Sequence, residues 1–235
     1  MNLILDIGNT NYKMALFEGG KIVSSVRVND FDREGFEEII SGFVFDKAII
    51  SSVRVTPEFV TDILSKRGAF VHTLSHKSKL PFEINYKTPE TLGADRIANL
   101  AGAFNLFPNE DIMVIDAGTA ITYDFLINGV YEGGNISPGI NIRFKALHNF
   151  TDKLPLLSAN EDFNSPGQTT RDAILSGVIN GVIFEIKEYI CTFKNNKIIL
   201  TGGDSEYINT KLNKQIMRMP DLMNEGLNFI LEYNV

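Results

Sequence analysis

One unit of the chain occurs twice, and this repeat constrains the fold more than any other feature. Leu3-Ile4-Leu5-Asp6-Ile7-Gly8-Asn9-Thr10 is followed by Tyr12-Lys13-Met14-Ala15-Leu16-Phe17 and then by Gly19-Gly20. Met113-Val114-Ile115-Asp116-Ala117-Gly118-Thr119 is followed by Ile121-Thr122-Tyr123-Asp124-Phe125-Leu126 and then by Gly129. Each copy reads as a buried apolar strand ending at an Asp, a glycine-containing turn, a second strand, and a glycine turn into a third. Asp6 and Asp116 stand 110 residues apart in a chain of 235. That spacing predicts a duplication, with one half over 1–110 and the other over 111–235. No low-complexity linker intervenes, so the halves are expected to pack tightly across a cleft.

The intervening segments alternate between strand and helix. Phe36, Ile39, Ile40 and Phe43 have helical spacing, and Lys47 to Val53 reads as a strand. Thr56 caps an expected helix with Pro57 at its first position and Phe59, Val60, Ile63 and Leu64 inward. Phe70 to Leu74 reads as a strand, Ile97, Leu100, Ala101 and Phe104 as a helix stopped near Pro108, and Thr170 to about Phe193 as a long helix. Lys197 to Thr201 forms a strand into Gly202-Gly203, and Leu222, Leu227, Ile230 and Leu231 suit a final helix. Alternation of this kind gives an α/β protein, sheets with helical covers.

Charge and cysteine usage exclude whole classes of function. Twenty-two Lys and Arg against twenty-nine Asp and Glu leave a net charge of −7, which opposes a nucleic-acid or anionic-membrane partner. The single cysteine, Cys191, forbids an internal disulfide and a multi-cysteine zinc site. His72 and His76 sit in polar surroundings and are expected at the surface. The first residues lack a cationic stretch and an apolar core, and no run approaches the roughly 18 apolar residues of a membrane span. A cytoplasmic protein is expected.

Asp6-Ile7-Gly8-Asn9-Thr10 has the build of a phosphate-binding turn. Glycine permits the sharp bend, so consecutive N–H groups can face an anion. Asp6 can hold Mg²⁺, and Lys13 on the next strand can set a point charge on a phosphate oxygen. The bland alternative is a polar hairpin turn, which the second copy at Asp116-Ala117-Gly118-Thr119 makes less economical. Gly93-Ala94-Asp95-Arg96 opens a helix. A carboxylate in a first turn is kept ionised by the N-terminal dipole and can serve as a base. Arg96 offers a planar fork for a substrate carboxylate. The alternative is an ordinary helix start with a surface arginine. Gly133-Gly134-Asn135-Ile136-Ser137-Pro138-Gly139 is expected as a tight loop. Gly177 and Gly181 are spaced for close helix packing, within the chain or across a dimer. Neither a Walker A pattern nor Gly-x-Gly-x-x-Gly occurs.

Taken in order, these motifs resemble those of type III pantothenate kinases. The match rests on Asp6-x-Gly-Asn-Thr-x-x-Lys13, Gly93-Ala94-Asp95-Arg96, Asp116-Ala117-Gly118-Thr119-Ala120 and Gly133-Gly134-x-Ile136-x-Pro138-Gly139. It extends through Thr170-x-x-Ala173-Ile174-x-Ser176-Gly177, Thr201-Gly202-Gly203 and the Asn224-Glu225-Gly226-Leu227 helix. The resemblance implies duplicated actin-like (ribonuclease H-like) domains, as in acetate and sugar kinases, Hsp70 and actin, with ATP in the cleft between them. It implies phosphorylation of pantothenate, in the first step of coenzyme A synthesis. Asp6, Ile7, Gly8, Asn9, Thr10, Asn11, Tyr12 and Lys13 would hold the ATP phosphates with Mg²⁺ near Asp6, and Thr119 would add a contact from the second half. Asp95 would be the catalytic base, and Tyr86, Gly93, Ala94, Asp95, Arg96 and Thr170 would contact pantothenate. Asp116 would bind a monovalent cation, K⁺ or NH₄⁺, and the protein would be a homodimer. Two other readings compete with this one, a non-catalytic regulator on the same fold and an actin-like phosphotransferase acting on a different hydroxyl.

Overall fold

The computed structural model describes residues 1–8, 11–159, 161–212 and 216–235. The chain forms two compact units: Met1–Asn109 with Gly129–Tyr131 and Asp221–Val235, and Glu110–Asn128 with Glu132–Pro220.

The first unit begins with three strands, β1 (Asn2–Ile7), β2 (Tyr12–Glu18) and β3 (Lys21–Val28). Gly19 and Gly20 join β2 to β3 with φ of 55° and 78°, the doubly left-handed turn whose twist suits a two-residue hairpin. Helix α1 (Arg33–Ser41) starts where the Asp32 carboxylate accepts from Gly35 N at 2.8 Å. Strand β4 (Lys47–Ser52), helix α2 (Glu58–Lys66) and strand β5 (Phe70–Thr73) complete a sheet of order β3-β2-β1-β4-β5. The short strand β6 (Glu83–Ile84) follows, then a 3₁₀ turn at Pro89–Thr91 and helix α3 (Ala94–Leu106).

Strand alternation decides what covers each face of this sheet. Leu3, Leu5 and Ile7 join Tyr12, Met14, Phe36, Ile40, Val60 and Leu64 in one buried cluster under α1 and α2. Asn2, Ile4 and Asp6 point the other way, where Asn2 Nδ2 reaches Asn228 and Glu232 on the last helix at 2.8 and 2.7 Å. At the crossing of α3 with that helix, a Cβ on Gly226 would overlap Ala98 O, and one on Gly102 would overlap Leu222 O. Glycine at both positions lets the helix that carries Asp95 seat at backbone distance.

The second unit repeats the pattern. It contains β7 (Ile112–Ala117), β8 (Ala120–Ile127), most of β9 (Val130–Pro138), α4 (Ile140–Asn149), α5 (Thr170–Thr192), β10 (Lys197–Thr201), α6 (Ser205–Lys211) and β11 (Met217–Arg218). The last helix, α7 (Leu222–Tyr233), returns to the first unit. The second sheet has the order β11-β10-β7-β8-β9-β6. Leaving β6 aside, β9-β8-β7-β10-β11 reproduces β3-β2-β1-β4-β5. Asn128 and Gly129, with φ of 50° and 76°, close the hairpin as Gly19-Gly20 does. The duplication read from Asp6 and Asp116 is therefore matched strand for strand. Ile115, Tyr123, Phe144, Leu175, Ile179, Val182, Ile186 and Leu200 form this unit's core.

Three local expectations change. Helix α2 starts at Glu58 with Pro57 as its N-cap and no side-chain cap, rather than with Thr56 capping and Pro57 at the first helical position. The segment from Gly133 to Pro138 is strand rather than tight loop, because the β9 ladder carries through it. Gly133, at φ 104°, absorbs the one bend. His72 is half-buried, with Nε2 2.8 Å from Ser78 Oγ, and burial lowers its pKa. His76 is exposed as expected. Among the described residues, no helix is long and apolar enough to cross a membrane.

Candidate active site

In the first unit the site residues collect at the C-terminal end of β1 and the start of α3. Asp6 is 5% exposed and stands opposite Lys13 in the antiparallel β1–β2 ladder and opposite Ser51 in the parallel β1–β4 ladder. Lys13 Nζ lies 3.9 Å from Asp6 Oδ2 and remains part-exposed, so its charge is shared between the carboxylate and whatever occupies the turn. The turn itself is drawn in by Gly8 N donating to Asn11 O at 3.1 Å. Ile7 and Tyr12 are the last paired residues on either side. Asn9 and Thr10 lie outside the described residues. Ser51 was not anticipated. It is wholly buried and its hydroxyl has no hydrogen-bond partner among the described residues, beside the carboxylate the sequence pointed to.

Asp95 occupies the first turn of α3, after Gly93 as N-cap and Ala94. Its Oδ1 accepts from Arg96 N at 2.9 Å, and a Cβ on Gly93 would overlap that oxygen. Glycine before the helix thus lets the carboxylate fold back over the helix start. Arg96 is buried, its guanidinium 5.9 Å from the Tyr131 ring centroid. Tyr131 in turn stacks on Tyr86, with centroids 5.9 Å apart. Tyr86, which belongs to no strong motif, is thereby joined to Arg96 through one fully buried aromatic that sequence reasoning missed. The only signal for Tyr131 was its position just beyond the Asn128-Gly129 turn.

In the second unit, Asp116 ends β7 opposite Thr122 on β8 and Thr201 on β10. Gly202 has φ 93°, and a Cβ there would overlap both Asp116 Oδ1 and Ala117 O. Two oxygens therefore converge on one small volume. A Cβ on Gly139 would overlap the carbonyl oxygens of Gly118 and Thr119, and Gly139 N donates to Thr119 O at 3.2 Å. Thr119 itself is exposed. At the start of α5 the neighbouring threonines divide the work. Thr169 Oγ1 caps the helix by accepting from Asp172 N at 3.0 Å, leaving Thr170 exposed at the first helical position.

A family model described as type III pantothenate kinase matches residues 2–192. The chain belongs to the type III pantothenate kinase family. It is 42% identical over 239 residues to a type III pantothenate kinase of Phocaeicola vulgatus, covering 100% of this chain and 99% of that one. A Bacteroides fragilis type III pantothenate kinase is 43% identical, with coverage of 100% and 98%. Among solved structures, a Campylobacter jejuni protein assigned to the Baf family of transcriptional activators matches with a TM-score of 0.65 at 24% identity, over 99% of this chain and 98% of that one. A ROK hexokinase of Thermus thermophilus matches with 0.54 at 12% identity over 98% of each chain. These likenesses bear on the fold, the two-domain actin-like α/β architecture. As a member of a kinase family the protein is a phosphotransferase that uses ATP.

The remaining chemistry of the two units is set by local groups. Among the described residues no group of three or more His, Cys, Asp or Glu side chains is placed to hold a metal. A divalent ion here would draw on Asp6, water and substrate phosphates, the coordination Mg²⁺ favours. Beside the Asp116 carboxylate lies the Ala117 carbonyl oxygen, both facing Gly202. Burial raises the pKa of Asp204, whose N–H donates to Ala117 O at 2.9 Å.

Proposed function

We propose that this type III pantothenate kinase transfers the γ-phosphoryl group of ATP to the primary hydroxyl of pantothenate, yielding 4'-phosphopantothenate for coenzyme A synthesis. The observation that carries the reading is the start of α3. An acid folded over a helix N-terminus lies next to a buried guanidinium backed by two stacked tyrosines. Asp95 takes the hydroxyl proton as the oxygen attacks the γ-phosphorus in line, and the bond to the ADP oxygen breaks. Arg96 holds the pantothenate carboxylate, Tyr86 and the Gly93-Ala94 backbone line the site, and Thr170 contributes a further contact. The turn from Asp6 to Lys13, including Asn9, Thr10, Asn11 and Tyr12, cradles the phosphates, and Thr119 adds a contact from the second half.

Mg²⁺ bound at Asp6 would neutralise phosphate charge, and K⁺ or NH₄⁺ at Asp116 would be held by the converging oxygens beside Gly202. Positioning and electrostatics do most of the work in phosphoryl transfer, and the base adds about 10²–10⁴-fold. The duplicated domains correspond to the sequence halves 1–110 and 111–235, with Asp221–Val235 of the second half returning to the first unit, in a cytoplasmic homodimer. The dimer is supported by α5. A Cβ on Gly177 would meet nothing within 4 Å, so no part of the described chain packs there, and Phe184 on the same helix is 65% exposed.

The test is pantothenate-dependent ADP release by purified protein with ATP, Mg²⁺ and K⁺. Absence of turnover rejects the assignment, and turnover with another alcohol redirects it. Asp95→Asn should lose about 10²–10⁴-fold in turnover while still binding ATP in calorimetry. Near wild-type turnover would move the base elsewhere.

A further inference from the structure

The second unit contains a polar network that none of these roles uses. Glu185, in the C-terminal half of α5, accepts from Tyr123 Oη at 2.8 Å, Ser137 Oγ at 3.1 Å and Arg143 at 2.5 Å. Arg143 also donates to Ser137 Oγ and, through Nε, to Pro138 O, both at 2.8 Å. One carboxylate therefore ties β8, the end of β9 and the first turns of α4 to α5. Tyr123 is itself fixed, fully buried and stacked on Tyr189 at 3.7 Å between centroids. Burial pushes the Glu185 carboxyl up, but the hydrogen bonds from Arg143, Tyr123 and Ser137 outweigh it and hold the group below the usual carboxylate range. The next residue after the clamped pair Ser137-Pro138 is Gly139, the glycine packed on the Gly118 and Thr119 carbonyls.

We infer that Glu185 is a positioning residue for the second-unit turn. It holds Ser137-Pro138-Gly139 as a backing plate against Gly118-Thr119 and so sets where Thr119 meets phosphate. This rests on the reading of Thr119 as a phosphate contact. The physical ground is that charge-assisted hydrogen bonds are the strong ones and that a satisfied, part-buried network rigidifies what it joins. Removing the acceptor takes one hydrogen bond from each of three donors at once and frees the backing segment.

The experiment measures ADP affinity by calorimetry and the KM for pantothenate in T119V, E185Q, E185A and the double variant E185A/T119V. T119V should weaken ADP binding roughly 2–10-fold, the worth of one hydrogen bond. E185A should weaken it on the order of tenfold, since small misplacements of a site are costly. E185Q, which keeps an acceptor for Tyr123 but turns an amide toward Arg143, should fall between, and it carries the test if E185A does not fold. The double variant should bind within about twofold of E185A, because the two changes act through one group. The KM for pantothenate should stay near wild type, which a general loosening of the unit would not allow. If T119V weakens binding but E185Q and E185A do not, or if the two losses multiply, the inference is overturned and the Thr119 reading stands. If T119V binds ADP like wild type, the Thr119 reading falls and the inference falls with it.

Discussion

The turn after β1 and the turn after β7 descend from one sequence pattern, yet they are built for different tasks. Between the paired residues Ile7 and Tyr12 the first has four residues, and Lys13 follows on the returning strand beside a carboxylate that is 5% exposed. Between Ala117 and Ile121 the second has three, and Thr122 stands opposite Asp116 where Lys13 stands opposite Asp6. Near the first Asp stand a lysine and a buried serine hydroxyl without a hydrogen-bond partner among the described residues; near the second, Gly202 crowds the Ala117 carbonyl oxygen and Asp116 Oδ1. We propose that duplication supplied two copies of one scaffold, the first serving polyanionic phosphate and its divalent ion beside Lys13 and the second a monovalent cation at Asp116.

The sharpest way to break that comparison is to remove the one charge that separates the turns. Lys13→Ala should lower kcat/KM for ATP about 10²–10³-fold, as for loss of one donor aimed at developing charge. Thr119→Val should cost only roughly 2–10-fold. Equal losses in steady-state kinetics would mean that both turns serve phosphate alike. A second contrast uses the ions. Asp6→Asn should raise the Mg²⁺ concentration for half-maximal rate on the order of tenfold and leave the K⁺ response unchanged, whereas Asp116→Asn should do the reverse. Titrations in which either variant shifts both ions would dissolve the division of labour.

Backbone geometry gives a smaller contrast. Gly202→Ala forces a side chain into a left-handed conformation and onto Asp116 Oδ1, at about 1–3 kcal/mol for the conformation alone. Gly8→Ala leaves an ordinary backbone conformation and, among the described residues, meets Asn11 O at 3.0 Å, so it should cost less than Gly202→Ala. Thermal unfolding should rank them in that order. Comparable midpoints would show that the oxygen cradle at Asp116 yields more easily than its geometry suggests.

How much of this was legible in sequence follows from the range of each interaction. The repeat, the hairpins and the long helix were readable because period-2 and period-3.6 patterns and left-handed turn glycines are local. Thr170 to about Phe193 was expected as helix and spans Thr170–Thr192. The motif acids were readable because each ends a strand or opens a helix. What joins them was not. Tyr131 under Arg96, Gly226 against Ala98, and Glu185 with Tyr123 and Arg143 are separated by 35 to 128 residues, and none leaves a periodic trace. Ser51 looked like the polar end of an ordinary strand until its register placed it beside Asp6. The β9 strand was mistaken for a loop because Gly133 and Gly134 suggest turns, while ladder pairing overrides propensity.

The smallest expected effect is a pH signature confined to the second unit's clamp. The folded-state pKa of Glu185 is depressed below its usual 4.5, so the ionised form is favoured by folding. Its contribution to stability is present in full above about pH 4.5 and disappears as pH falls through the lower folded value. Asp204, pushed up by burial from 3.8, acts in the opposite sense: folding favours its protonated form, and ionisation costs stability as pH rises through its folded value. In wild type the two act in opposite senses as pH falls through the acidic range. Glu185→Gln removes one of them. The wild-type minus E185Q difference in unfolding midpoint should be constant from pH 5 to 7 and close as pH falls below 4.5. A difference that stayed constant to pH 3 would mean that folding leaves the proton affinity of Glu185 unchanged, and the clamp would then owe nothing to charge.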